Sequence, residues 1–171
     1  STMMSNTTGG YNTASGAAAL SFNTTGYSNT ASGQQALYSN TTGQHGTAVG
    51  QAALMSNTTG SDNVATGYRA SFSNTTGVQN VASGKNALYN NTVGNYNTAV
   101  GYNTLQGGIV HNCTAVGYQA LYSNTGEGNN AFGSEALFTN TTGVENTAFG
   151  TQALYSSTMA SYNVATGYGA L

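Results

Sequence analysis

Y-S-N-T-T-G-Q-H-G-T-A-V-G-Q-A-A-L, residues 38–54, is followed at once by M-S-N-T-T-G-S-D-N-V-A-T-G-Y-R-A-S, residues 55–71. The second stretch repeats the first with the same phase. Working outward in both directions, Leu20, Leu37, Leu54, Leu88, Leu105, Leu121, Leu137, Leu154 and Leu171 keep that phase, with Ser71 in the Leu position. Successive members lie 17 residues apart, apart from two intervals of 16 that end at Leu121 and Leu137. A period of this size is the signature of a stacked repeat protein and takes precedence over local propensity. The consensus is Y-S-N-T-T-G-x-x-N-T-A-x-G-x-x-A-L, and its positions are numbered here as slots 1 to 17.

Two slots are invariant. Slot 13 is Gly16, Gly33, Gly50, Gly67, Gly84, Gly101, Gly117, Gly133, Gly150 and Gly167, and slot 11 is Ala14, Ala31, Ala48, Ala65, Ala82, Ala99, Ala115, Ala131, Ala148 and Ala165. Slot 1 is aromatic or Met at Met4, Tyr38, Met55, Phe72, Tyr89, Tyr122, Phe138 and Tyr155. Each repeat has two Gly corners, one after N-T-T and one after T-A-x, where Gly supplies the positive φ of a tight turn. Between the corners lie A-L-Y-S-N-T-T and N-T-A-x, both of strand length and rich in Thr, small and aromatic residues. Gly recurs too often for helix, and the apolar slots lack a 3.6-residue period.

The reading is therefore all-β: a single parallel β-solenoid over 1–171, ten coils of about 17 residues with two short strands each. Coils stack about 4.8 Å apart, so ten make a rod about 48 Å long. Leu stacks on Leu as a core ladder, slot-1 rings form a column, and Asn sits on Asn. The one-residue deletions around Gly108 and Gly126 belong in corners rather than strands. Alternation puts slots 10 and 12 on one face of N-T-A-x and slot 11 on the other. Two readings of slot 11 stand side by side: the Ala column faces outward for close approach by a second copy of the chain, or it packs inside a thin coil while slots 10 and 12 face out. A thin core favours lateral burial between chains.

Composition narrows the function classes. Charged residues are 4% of the chain, net charge is −2, and Pro and Trp are absent, against roughly 25% charge in ordinary soluble proteins. No basic surface exists to neutralise phosphates, which disfavours nucleic acid. No apolar run approaches the roughly 20 residues of a membrane span, and no signal peptide is visible. Ionisable residues are scattered: Asp62, Glu127, Glu135, Glu145, Arg69, Lys85, His45 and His111. They fall mainly in the variable slots 8, 14 and 15. His45 and His111 lie three to four coils apart, roughly 20 Å. No metal set, cofactor site or catalytic pair is read, and the chain is expected not to be an enzyme.

Three groups of residues remain. Cys113 is the one cysteine and replaces Asn in slot 9, most simply as a small residue in the Asn ladder; an interchain bridge or a reactive thiol is the alternative. Asn6, Asn23, Asn40, Asn57, Asn74, Asn90, Asn112 and Asn140 head N-x-T sequons, which are either glycan acceptors or by-products of a turn motif. Tyr68, Tyr102, Tyr118 and Tyr168 occupy slot 14, exposed corners where rings can stack on sugars or pack along the column.

Asn97-Thr98-Ala99-Val100-Gly101 and Asn146-Thr147-Ala148-Phe149-Gly150 resemble the head repeats of trimeric autotransporter adhesins. The wider N-T-A-x-G-x-x-A-L-x-x-N-T-T-G array looks like phage-type tail fibres and bacterial surface proteins, over essentially the whole chain. The adhesin resemblance implies a left-handed β-roll assembled as a homotrimer and used for attachment. The expectation is an extracellular structural or adhesive fibre segment, on a cell-surface appendage or a virion, cut from a longer array or stacking on neighbours. Its partners would be further copies of itself and cell-surface glycans, with no membrane insertion. A self-assembling filament, bare or N-glycosylated, is the alternative, and an ice-binding solenoid is a minor one.

Overall fold

The computed structural model describes residues 2–171. Ten strands form along the chain: β1 (Thr13–Ser15), β2 (Thr30–Ser32), β3 (Thr47–Val49), β4 (Val64–Thr66), β5 (Val81–Ser83), β6 (Thr98–Val100), β7 (Thr114–Val116), β8 (Asn130–Phe132), β9 (Thr147–Phe149) and β10 (Val164–Thr166). They make one ten-stranded parallel sheet in sequence order. The register is the repeat itself: Ala14 pairs with Ala31, Ala31 with Ala48, and so on to Ala148 with Ala165. Parallel neighbours need a long crossover, and here the crossover is the rest of the coil. The shortened repeats keep the register, with Ala99 opposite Ala115 and Ala115 opposite Ala131. Both deletions fall outside the ten strands, but in the N-T-T stretch before slot 6 rather than at a glycine corner, which corrects the expectation.

Each coil holds one strand rather than the expected two, spanning slots 10–12. The A-L-Y-S-N-T-T arc is a chain of turns, and its backbone explains why. Slot 15 (Gln35, φ 59°) and slot 17 (Leu37, φ 49°) are both left-handed, and alternation with left-handed residues curls the chain so that it cannot extend as a strand. The arc still bonds to its neighbours along the rod: Leu37 N–H donates to Ala53 O at 3.0 Å, Ser39 N–H to Met55 O at 3.0 Å and Thr41 N–H to Thr58 O at 2.9 Å. Slot 8 is left-handed too, as at His45 (φ 53°). In all, 28 described non-glycine residues have positive φ, where a few per cent is usual. Repetition makes that geometry tolerable, because every coil places the same donor under the same acceptor.

The two glycine columns serve different needs. Slot-13 glycines have φ between 123° and 140°, a region closed to L side chains, as the corner reading requires. Slot-6 glycines such as Gly43 have no positive φ, which corrects the expectation for the N-T-T-G corner. They are needed for closeness instead. A Cβ on Gly43 would stand 2.6 Å from the carbonyl oxygen of Gly60 and closer still to Asn40 Oδ1.

The interior is narrow. Leu20, Leu37, Leu54, Leu88, Leu105, Leu121, Leu137 and Leu154 are buried in one column, with Ser71 buried among them, and slot-16 alanines such as Ala36 and Ala53 lie beside it. The slot-11 alanines from Ala31 to Ala165 are buried as well, and Ala14 packs against the same core. Of the two readings of slot 11, the interior one holds. The outward approach of a second chain onto that column is ruled out, because the pleat sends slots 10 and 12 outward instead.

Candidate binding surface

With one Leu and two Ala per coil, much of the cohesion along the rod comes from buried amides. In slot 3, Asn40 Nδ2 donates to Asn23 Oδ1 at 2.8 Å and to Gly43 O at 3.0 Å, and Asn57 repeats the pattern onto Asn40 and Gly60, at 2.9 Å each. In slot 9, Asn29 Oδ1 accepts from Gly46 N–H at 2.8 Å while its Nδ2 donates to Gly43 O at 2.8 Å. Asn sits on Asn, as the repeat predicts. The consequence for the sequons is direct. Asn23, Asn40, Asn57, Asn74 and Asn140 are buried, and their Nδ2 atoms each donate two hydrogen bonds inside the coil. A glycan on any of these nitrogens would displace the ladder, so as acceptors in the folded rod they are corrected to structural residues. Asn6, Asn90 and Asn112 are exposed.

Slot-4 threonines are also used internally. Thr24 Oγ1 donates to Thr41 O at 3.0 Å, and Thr41 and Thr58 repeat this onto Thr58 and Thr75. Cys113 is fully buried, with Sγ 3.4 Å from the carbonyl oxygens of His111 and Gly126. Burial, opposed by backbone hydrogen bonds, pushes its thiol up to about 11. A protonated, enclosed thiol is neither a nucleophile nor a partner for an interchain bridge.

Three faces remain for contact. The outward face of the sheet carries slots 10 and 12. Val49, Val64, Val81, Val100 and Val116 are each more than a third exposed there, and Phe149 is 58% exposed; neither slot contains an ionisable residue. The slot-7 and slot-8 corner holds His45, whose Nδ1 lies 3.1 Å from Asp62 Oδ1, with the Tyr27 ring edge-on at 5.1 Å. Among the described residues that is the one contact of salt-bridge length between a basic and an acidic side chain, and no group of three or more His, Cys, Asp or Glu could hold a metal ion. His111 lies elsewhere on the same side and accepts from Asn95 N–H at 3.2 Å.

The third face runs from slot 14 to slot 2. Tyr68, Tyr102 and Tyr118 are 38%, 41% and 50% exposed, and Tyr102 stacks on Tyr118 with centroids 5.5 Å apart and planes at 6°. Tyr168 is exposed on the last coil, away from this group. Beside these rings runs the slot-1 column, where Phe72 stacks on Tyr89 at 5.1 Å and Tyr122 on Phe138 at 5.2 Å. Arg69 links the two columns, its guanidinium carbon 5.0 Å from the Tyr68 ring centre and 5.5 Å from that of Phe72. Lys85 Nζ lies between Tyr68 and Tyr102, at 5.9 and 5.6 Å.

The slot-14 tyrosines were legible as exposed corners. The part played by Arg69 and Lys85 was not. The signal existed: in slot 14 the order Tyr68, Lys85, Tyr102, Tyr118 is unbroken. The described chain is thus a tandem-repeat parallel β-solenoid with one aromatic, cationic face, and the described residues contain no helix long and apolar enough to cross a membrane. No family model matches the chain, and neither a curated protein nor a solved structure is found to resemble it.

Proposed function

We propose that the chain is a segment of an extracellular fibre, the shaft or head of a tail fibre or surface adhesin, and that its work is mechanical and adhesive rather than catalytic. The observation that carries this reading is the unbroken in-register sheet, in which one 17-residue rule extends the rod without a stop. Each added coil repeats the hydrogen bonds of the last, so stability adds coil by coil as the rod lengthens. Ionisable groups are too dispersed for acid–base or nucleophilic work, while the variable side chains sit on the outside.

The finer form of the reading is a left-handed coil assembled as a homotrimer. The support for assembly is the outward face of slots 10 and 12, flat and without charge, on a rod whose own core is thin. The exposed Val and Phe side chains among the Thr and Ser of this uncharged face are a cost in water and a gain against its own copies. Native mass spectrometry of the purified chain tests it. A trimer is expected, and Val100→Lys, placed mid-face, is expected to give a folded monomer. A wild-type chain that stays monomeric at tens of micromolar removes the assembly.

A further inference from the structure

The slot-1 aromatic column has a gap. Phe72 and Tyr89 stack before it, Tyr122, Phe138 and Tyr155 stack after it, and Gln106 stands where the missing ring would be. A recess of about 340 Å³ opens there, lined by Asn90, Gln106, Gly107, Tyr122 and Ser123. At this gap Gln106 Oε1 is buried and has no hydrogen-bond partner. A buried acceptor left without a donor is costly; a turn of the Gln106 side-chain amide toward the recess it lines would let a bound group carrying hydroxyls satisfy it. The Tyr122 ring lines the same recess and offers a face to a ring with apolar C–H groups. A pyranose supplies both.

Charge narrows the class further. The chain has two Lys and Arg residues in total, Arg69 and Lys85, and both lie on this face. Neither pairs with a carboxylate among the described residues; both rest on aromatic rings. Lys85 contacts the ring of Tyr102, four residues before Gln106 on the same turn. Glu135 bounds the far end of the face, one coil beyond Tyr118, and accepts from Gln152 Nε2 at 2.8 Å. The face therefore has a cationic half and an anionic limit.

We infer that the slot-14 to slot-2 face around Tyr68, Lys85, Tyr102, Tyr118 and Tyr122 binds an acidic saccharide chain, with one sugar ring seated in the Gln106 recess and a carboxylate or sulfate toward Lys85. Two cations are too few to hold a densely charged phosphate backbone, which makes single-stranded nucleic acid the poorer fit. The inference deepens the attachment role proposed above and rests on it for its biological setting alone. The assay needs no assembled fibre, so a monomer that binds and a trimer that does not are separable results.

The test is titration calorimetry of the whole chain at low salt against oligogalacturonate, hyaluronan and alginate oligomers. Methyl-esterified oligogalacturonate is the neutral control and oligo-dT the nucleic-acid control. At least one acidic oligomer is expected to bind at least tenfold more tightly than the neutral control, and to weaken with added salt. Lys85→Gln should weaken it three- to tenfold. Gln106→Tyr should abolish it while raising the melting temperature, since it fills the recess and completes the ring column; a loss of binding with gained stability cannot be a folding defect. Absence of binding to all three acidic oligomers, equal binding to the esterified control, tighter binding to oligo-dT, or full binding by Gln106→Tyr would each overturn the inference.

Discussion

Gly43 and Gly10 both lie in the first half of their repeats, two coils apart, and they should respond differently to a methyl group. A Cβ at Gly43 meets the Gly60 carbonyl, whereas at Gly10 nothing lies within 4 Å. Gly43→Ala should cost about 2–3 kcal/mol, and Gly10→Ala should stay within about 0.5 kcal/mol, as read by denaturant melts. Left-handed residues give a second contrast. Gln79 is exposed with φ 55°, and Gly128 fills the equivalent slot with φ 68°. Relief of left-handed strain, about 1–2 kcal/mol, outweighs the extra chain entropy of glycine, about 0.4–1 kcal/mol. Gln79→Gly should therefore stabilise by about 0.5 kcal/mol, and Gln79→Val should destabilise.

Cys113 gives the pH test at the same scale. Its folded thiol lies at about 11, above the ordinary 9.0. Above pH 9 the unfolded chain gives up this proton and the folded one keeps it, so stability present below pH 9 is lost as pH rises toward 11. The loss is about 2–3 kcal/mol relative to Cys113→Ala, which shares every other titrating group. Equal alkaline melts for the two proteins contradict it. Of these residue-level features, the slot-13 glycines were legible because positive φ leaves a strict Gly. The left-handed slots 8, 15 and 17 were not, since Gln, His, Arg and Leu carry no such mark. The role of slot-6 Gly was hidden because closeness depends on the next coil.

At the scale of one coil, the buried Asn ladders carry what a larger apolar core carries elsewhere. Asn57→Ala removes two donated bonds, to Asn40 Oδ1 and Gly60 O, and one accepted from Asn74 Nδ2 at 2.7 Å. It leaves buried polar atoms unpaired and should cost about 3–5 kcal/mol, as much as Leu88→Ala in the core column. Comparable melts for wild type and Asn57→Ala would show that the ladder is not structural. The coil's length, its strand at N-T-A-x and the stacking of like on like were legible because repetition fixes phase independently of local propensity. The turn-built arc was misread as a second strand, since Thr, Tyr and Leu favour strands and only left-handed φ values say otherwise. The slot-11 ambiguity had the same root: alternation gives two faces, and only the closed coil says which is inside.

For the whole molecule the central claim is that equivalent slots lie over one another with a constant rise. Slot 5 offers exposed labelling sites at Thr25, Val93 and Met159, on the second, sixth and tenth coils, in a Cys113→Ala background diluted with unlabelled chain. Pulsed electron spin distances between labelled cysteines are the most direct measurement. The stack predicts about 19 Å for the pair at 25 and 93, and about 38 Å for the pair at 25 and 159, a doubling set by about 4.8 Å per coil. Distances that are broad, or that fail to grow in proportion to the number of coils between the labels, would contradict it.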